Sequence, residues 1–231
     1  APIYLSISPC NAVIIAGSHV DYHATAIDEY GNSWDVTDSS TFTTIVGGGS
    51  STSGGEFNSP HGFLGTRSGT YIIRANYAGL FSTTTVTIKH STTTTLSIIP
   101  QNTSIIAGQT TAYYTTAADE YDNTWDASGS STFAANGGGA FLSNNFLGII
   151  AGTFTISSRY DGLIATTTLN IKQDIPISIQ ISPLKSIVMS DKTIAYQIIA
   201  TDKYANKWDV TAETMFGSDD PWGTITWGVY T

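Results

Sequence analysis

Carboxylate and amide side chains are concentrated in a phrase that occurs three times in this chain of 231 residues. Clusters of oxygen atoms of this kind can bind calcium, which prefers about six to eight oxygen ligands. The same residue types also close tight turns, because Asp and Asn side chains accept or donate hydrogen bonds to nearby backbone groups. The recurring residues are Asp28, Tyr30, Asn32 and Trp34, then Asp119, Tyr121, Asn123 and Trp125, then Asp202, Tyr204, Asn206 and Trp208.

The second copy of the phrase is the richest in oxygen ligands, and the third is the poorest. Lys203 stands in the third copy where the second has Glu120, so a required ligand shell would lose a carboxylate there. We therefore expect Asx-type turns and no cofactor, with calcium as the alternative. The calcium candidates are Asp119, Glu120, Asp122, Asn123 and Asp126.

The aromatic residues of the phrase have two interpretations. They can pack the end of a β-sandwich, since large aromatics supply core area and occur in every copy, or they can stack on sugars. Trp222 and Trp227 have no tryptophan counterpart in the other copies and align approximately with Phe57 and Phe63, so a core or interface position is expected for them.

Glycan attachment is a further candidate modification. Asn102-Thr103-Ser104 is a glycosylation sequon in an expected turn. O-linked sugars are the alternative to an ordinary strand or linker role for Thr92, Thr93, Thr94 and Thr95.

Charge and composition exclude several classes of function. The net charge of −9 and pI near 4.6 argue against binding nucleic acid or an anionic membrane surface, which need clustered Lys and Arg. No stretch is apolar enough to predict a transmembrane segment. The chain has neither a nucleophile-elbow motif nor a phosphate-binding loop, so we do not expect an enzyme.

The spacing of the phrase indicates tandem domains. The copies lie 91 and 83 residues apart, and Pro9, Pro100 and Pro183 recur upstream at the same intervals. Between these landmarks, apolar and polar residues alternate over short segments that turns separate, which is typical of an antiparallel β-sandwich. The expected fold is all-β, with immunoglobulin-like sandwich domains in tandem at residues 1–90 and 95–173 and an incomplete domain at 177–231. The connecting segments are short, so limited swing is expected between successive domains.

Four motifs of the chain resemble parts of a known family. They are the opening Leu5-Ser-Ile-Ser-Pro9, the Ala16-Gly17 turn, the Asp-x-Tyr-x-Asn-x-Trp-Asp hairpin and the Gly69-Thr-Tyr71 strand. They are similar to the bacterial immunoglobulin-like repeats of large prokaryotic surface proteins. The resemblance implies the sandwich fold, and it implies roles as spacers, adhesin stalks, surface-layer components or accessory domains of enzymes. It implies no universal active site.

The third copy is expected to lack partners for the last two strands of a full repeat, which would leave apolar faces and open edges. Two explanations remain open: the polypeptide continues beyond Thr231, or a neighbouring molecule supplies the missing strands. The second explanation predicts a head-to-tail polymer of this chain.

The sequence therefore predicts an extracellular structural protein of the cell surface, such as a filament subunit, a stalk or a surface-layer element. The expected partners are copies of itself, with glycans as a further alternative. An adhesin or carbohydrate-binding module is the second hypothesis, and an accessory region of a larger secreted enzyme is the third. The Ala1-Pro2-Ile3 start would suit a mature secreted chain.

Overall fold

The computed structural model describes residues 1–45, 54–189, 192–219, 223–226 and 228–230. These residues form 26 strands and three short 3-10 helices, and none of the described helices has the length and hydrophobicity that a membrane crossing requires. The chain divides into two compact units, residues 1–96 with 116–126 and residues 97–115 with 127–231. The three-domain division stays a prediction, and its ranges are called the first, second and third repeats below.

The first repeat forms strands whose side chains alternate between a buried and a wet face. The alternation predicts Val20, Tyr22, Ala24 and Ala26 on one face; the last three are fully buried and Val20 is half-buried. The strands are β1 (Pro2–Ser8), β2 (Ala12–Ile15), β3 (His19–Asp21), β4 (His23–Asp28), β5 (Ser33–Asp35), β6 (Thr41–Ile45), β7 (Gly55–Phe57), β8 (Gly62–Gly65), β9 (Gly69–Tyr77) and β10 (Leu80–Lys89).

These strands are arranged as an immunoglobulin-type sandwich. The sheets β1–β4–β5 and β3–β8–β7 continue one another, because only Tyr22 separates β3 from β4. The other layer has the order β2–β10–β9–β6. Apart from β5, the hairpin partner of β4, and β2, which extends the other layer beside β10, this is the ABED and CFG order of immunoglobulin domains. The prediction of an all-β immunoglobulin-like fold is confirmed.

One strand of each full repeat departs from the antiparallel pattern. β2 runs parallel to β10, pairing Ala12 with Val86 and Ile15 with Lys89. The chain passes from one layer to the other at residues 9–11 without forming a hairpin, so β2 joins the second layer beside β10 in a parallel direction. The core between the layers contains Leu5, Ile7, Phe42, Phe63, Ile73, Val86 and Ile88.

The second repeat has the same sheet orders. Ile98, Tyr113, Phe146, Ile156, Leu169 and Ile171 are fully buried within it. Its strands are β11 (Thr95–Ile99), β12 (Thr103–Ile106), β13 (Thr110–Ala112), β14 (Tyr114–Ala118), β15 (Thr124–Asp126), β16 (Thr132–Ala135), β17 (Gly139–Leu142), β18 (Asn145–Gly148), β19 (Gly152–Tyr160) and β20 (Leu163–Lys172).

The third repeat contains, among its described residues, strands of one layer only. They form the sheets β21–β23–β24 and β22–β26–β25. Ile179 and Ile181 are 63% and 38% exposed, whereas their counterparts Leu5 and Ile7 are 2% and 5% exposed. The strands are β21 (Pro176–Ser182), β22 (Ile194–Ala195), β23 (Gln197–Asp202), β24 (Lys207–Asp209), β25 (Ile225–Thr226) and β26 (Val229–Tyr230).

The strand register corrects the sequence alignment of the tail. Tyr230 lies opposite Ile194 as Phe63 lies opposite Val20, and Ile225 lies opposite Tyr230 as Phe57 lies opposite Phe63. The approximate alignment of Trp222 and Trp227 with Phe57 and Phe63 is therefore wrong. It failed because short strands separated by glycine give little pattern to align. Both tryptophans lie outside the described residues.

Candidate functional site: the hairpin joints

Each copy of the repeated phrase forms a hairpin turn that its aspartate organises. Asp119 Oδ1 accepts hydrogen bonds from the backbone N–H groups of Tyr121 at 2.9 Å and Asn123 at 3.0 Å. Asp28 and Asp202 make the equivalent bonds in the first and third hairpins. These contacts are the Asx-type bonding that the residue types favour, and they fix the position of the following asparagine.

The second hairpin makes two hydrogen bonds to the first repeat through the Asn123 side chain. Its Nδ2 donates to the backbone carbonyl of Thr66 at 2.8 Å, and its Oδ1 accepts from the backbone N–H of Ser68 at 2.7 Å. Thr66 and Ser68 belong to the three-residue loop that joins β8 to β9. One amide side chain therefore satisfies both a donor and an acceptor of this loop.

The segment that connects the first repeat to the second is held by the same hairpin. The backbone N–H of Ser91 donates to Asp119 Oδ2 at 2.8 Å. The ring of His90 stacks on Trp125 with 3.7 Å between centroids and an angle of 9° between planes. The connection between the two repeats is thus fixed at two successive residues.

The tyrosine of the second hairpin packs against a glycine turn of the first repeat. Tyr121 is half-buried against the first repeat's core, and a Cβ atom placed on Gly17 would collide with its ring. Gly17 lies two residues after the end of β2 and has φ of +89°, in the left-handed region that favours glycine. Glycine is required here both by the backbone conformation and by the close approach of the ring.

The third hairpin repeats the asparagine, aspartate and tyrosine contacts in the second repeat. Asn206 Nδ2 donates to the carbonyl of Ile149 at 3.0 Å, and Asn206 Oδ1 accepts from the N–H of Ala151 at 2.7 Å. The N–H of Asp174 donates to Asp202 Oδ2 at 2.9 Å, and Tyr204 lies against Gly108. We call the two sets of contacts the first and second hairpin joints; each lies within one of the two compact units.

Lys203 explains why the third hairpin lacks the glutamate of the other two. Its Nζ lies 3.0 Å from Asp174 Oδ2 in the connecting segment. The third hairpin has Lys203 where the second has Glu120, and the connecting segment before it has Asp174 where the first connection has Ser91. The positive charge in the hairpin therefore has a carboxylate partner in the connecting segment.

The first hairpin has the same residues, but within the described part of the chain it makes none of the contacts that form the two hairpin joints. Tyr30 is 82% exposed, and Asn32 is exposed as well. In the other two hairpins the asparagine is 7% or 8% exposed.

The calcium candidates are brought together only in part. Asp119 and Asn123 are buried in the first joint, while Glu120, Asp122 and Asp126 are exposed. The oxygens of Asp119 already accept five hydrogen bonds, so a cation there would have to displace N–H donors. Among the described residues no group of three or more His, Cys, Asp or Glu is placed to hold a metal ion. Calcium binding stays a prediction.

The tryptophans of the phrase occupy unlike surroundings. Trp34 is 38% exposed, Trp125 stacks on His90, and Trp208 is half-buried. The interpretation that they pack the end of their own sandwich misses the contact of Trp125 with the connecting segment. Sugar stacking stays a prediction.

The glycosylation candidates lie in accessible segments. Asn102 is exposed in a left-handed turn. Its backbone N–H donates a hydrogen bond to the hydroxyl of Thr167, and its Oδ1 accepts one from the hydroxyl of Thr168. Asn11, which is not in a sequon, makes the equivalent bonds in the first repeat, so this arrangement has a structural role. Among the connecting threonines, Thr94 bonds the carbonyl of Ala118. Glycan attachment stays a prediction at Asn102, Thr92, Thr93, Thr94 and Thr95.

The joint aspartates are held in their charged form. Burial raises the pKa of Asp119, but hydrogen bonds from the Asn123 side chain and from the N–H groups of Ser91, Asn123 and Tyr121 outweigh it, so the net pKa is lowered. The pKa of Asp202 is lowered by the same balance, with Asp174 in place of Ser91. Hydrogen bonds to a carboxylate favour its ionised form.

We expect both joints to weaken in acid. Because the folded-state pKa of each aspartate is lowered, its contribution to stability is fully present above the unfolded pKa of about 3.9 and is lost as pH falls through the folded value. Amide hydrogen exchange at Ser91 and Asp174 should show constant protection above about pH 5 and declining protection below about pH 4. Asp119→Asn should flatten this dependence at Ser91 and leave it unchanged at Asp174; an equal effect at both sites would contradict a local origin.

Sequence reasoning missed the residues that receive the hairpins. Gly17, Thr66, Ser68 and Ser91, with their counterparts in the second repeat, were not singled out as a site. The recurrence of Gly17 and Gly108 at the same 91-residue interval as the phrase is the signal that could have found the glycine turn.

No known protein-family profile matches the chain, and no curated protein matches it in sequence. Solved structures with a similar arrangement include domains 1–6 of the surface layer protein SbsC, the Escherichia coli adhesin FdeC and invasin, a bacterial integrin-binding protein. Their sequence identities to this chain are 17%, 14% and 17%, and their TM-scores are 0.34, 0.49 and 0.39. The matches cover 100%, 87% and 88% of this chain, which spans 36%, 74% and 47% of the respective structures.

Proposed function

We propose that this chain is a non-catalytic structural element of a bacterial cell surface, in which immunoglobulin-like repeats are held in fixed succession. The observation that carries the proposal is the repetition of the same asparagine, aspartate and tyrosine contacts at both connections between repeats. If the repeats only had to be tethered, a flexible linker without further contacts would be sufficient. Here the connecting N–H, the loop and the glycine turn are all engaged by side chains of the next repeat.

The cell-surface location is supported by the resemblance of the repeated motifs to prokaryotic surface repeats and by the acidic, cysteine-poor composition. Immunogold labelling of intact source cells with antibodies against the chain tests it. Label on unpermeabilised cells is the expected result, and label only after permeabilisation would overturn it.

Negative-stain microscopy of extracted material tests the more specific hypothesis of a filament subunit or surface-layer element. Regular fibres or lattices favour that hypothesis, and monodisperse single chains contradict it.

The open face of the third repeat is proposed to be covered by a further strand pair, supplied either by a continuation of the polypeptide or by a neighbouring molecule. Ile181, Leu184, Val188, Tyr196 and Phe216 line part of a cavity of about 400 Å³ on this face. Tyr196 is half-buried, whereas its counterparts Tyr22 and Tyr113 are fully buried. In the full repeats a strand pair with alternating apolar residues covers the equivalent face, as β19 and β20 do with Ile156, Leu169 and Ile171. We infer that the occupant is a strand pair of this kind.

A synthetic peptide of residues 152–172 is expected to bind the full chain and to quench the fluorescence of a dye bound to the open face. The physical reason is burial of apolar surface between the two layers of the sandwich. Replacing Ile156, Leu169 and Ile171 by serine in the peptide should abolish binding. Equal binding of both peptides would contradict the proposal.

A further inference from the structure

The first hairpin is built like the two hairpins that form joints. Asp28 Oδ1 accepts from Tyr30 N–H at 3.0 Å and from Asn32 N–H at 2.8 Å, and Asn32 Nδ2 donates to Asp28 Oδ2 at 2.9 Å. The corresponding three distances in the third hairpin are each 2.9 Å. The turn therefore already has the docked conformation, while Tyr30 and Asn32 on its outer surface are exposed.

The surface that fits this hairpin is known from the other two copies. Each receiving surface offers a glycine at φ near +90°, namely +89° at Gly17 and +91° at Gly108. Each also offers a loop carbonyl and, two residues later, a loop N–H, from Thr66 and Ser68 or from Ile149 and Ala151. The hairpin residues that meet these groups are the tyrosine and the asparagine, and both are present at 30 and 32.

The strand register extends the equivalence to the connecting segment. Pro2 pairs with Asp28 as Pro176 pairs with Asp202, and the irregularity after each proline is at the same place. Ala1 therefore stands where Ile175 stands. A residue placed directly before Ala1 would present its backbone N–H to Asp28 Oδ2, as Asp174 does to Asp202.

We propose that residues 28–32 are a docking surface for the end of a further immunoglobulin-like repeat, one that carries a left-handed glycine turn and a three-residue loop like 66–68 or 149–151. The glycine turns at 17 and 108 are already in contact with Tyr121 and Tyr204, so the occupant is an additional repeat of this chemistry. The proposal rests on the hairpin joint that carries the proposed function, and it does not depend on location at a cell surface.

The experiment extends the full chain by one repeat. A second copy of residues 95–174 is placed before Ala1, so that the added Asp174 directly precedes Ala1 and the natural spacing is reproduced. Docking should reduce the rate of chemical nitration of Tyr30 and the rate of proteolytic cleavage at the new junction, each by about tenfold relative to an undocked fusion. The original chain provides the reference nitration rate for an exposed Tyr30.

Two matched variants make the result specific. Asn32→Ala changes only the exposed hairpin and leaves the added repeat intact, and it should restore fast cleavage at the junction. Gly108→Asp in the added repeat should restore fast nitration of Tyr30, because a side chain at that turn meets the tyrosine ring.

The proposal is overturned if Tyr30 reacts at the rate of the original chain and the junction is cleaved equally fast with and without Asn32→Ala. It is also overturned if protection survives both variants, because the added repeat would then dock elsewhere. Either outcome leaves the immunogold result unaffected, so failure of this inference and failure of the surface location are separate findings.

Discussion

Replacing Asn123 by alanine is expected to lower the free energy of opening of the first hairpin joint by about 2–3 kcal/mol. The substitution removes the partner of two backbone groups, the Thr66 carbonyl and the Ser68 N–H, and one partner of the buried Asp119 carboxylate. Ser68 is exposed and Thr66 half-buried, so the largest single loss is the hydrogen bond to the buried Asp119 carboxylate, since a bond to a charged group contributes about 1.5–3 kcal/mol. Native-state hydrogen exchange at the Ser68 amide measures the effect directly, and protection there should fall by about 30-fold or more.

Asn32→Ala is the matched control for Asn123→Ala. Asn32 makes the same bonds to its own aspartate but is exposed and contacts no other repeat through any bond in the described structure. Its loss should change stability by no more than about 0.5 kcal/mol. If the two substitutions had equal effects, the internal turn bonds and not the joint would account for the stability.

Gly17→Ala is expected to destabilise the first compact unit by about 3 kcal/mol, through two separable causes. Alanine at φ of +89° is strained, which costs about 1 kcal/mol, and its Cβ collides with the ring of Tyr121, for which overpacking costs of about 1–3 kcal/mol are typical. Urea unfolding of the full chain, followed by the signal of the first unit, gives the shift in midpoint.

Gly79→Ala separates strain from collision. Gly79 has φ of +82°, and no atom lies within 4 Å of the position that an alanine Cβ would take, so only the cost of about 1 kcal/mol should remain. The collision can also be removed from the other side, by combining Gly17→Ala with Tyr121→Ala. The two substitutions should then cost less together than the sum of their separate effects. Strict additivity would show that the ring and the turn are not coupled.

The strands were largely predictable because a two-residue alternation leaves a direct trace in the sequence. Tyr22, Ala24 and Ala26, or Val86 and Ile88, could be assigned to a buried face from spacing alone, and the structure buries them. The parallel pairing of β2 with β10 could not be assigned in this way, because alternation identifies a buried face and carries no information on which strand lies alongside. The register of β25 and β26 was missed for a related reason, since each has only two residues.

The sequence by itself determined the hairpins, since the bonds that shape them join an aspartate to residues two and four positions later. Only the tertiary structure decided what those hairpins touch. The hydrogen-bond partners of the two joint asparagines are backbone groups 55 and 57 residues earlier in the chain. The side chains at these positions differ between the copies: they are Thr66 and Ser68 in one and Ile149 and Ala151 in the other. Every residue carries an N–H or a carbonyl, so recognition through the backbone leaves no side-chain pattern to read, and it becomes visible only when the folded chain brings the loop and the hairpin together.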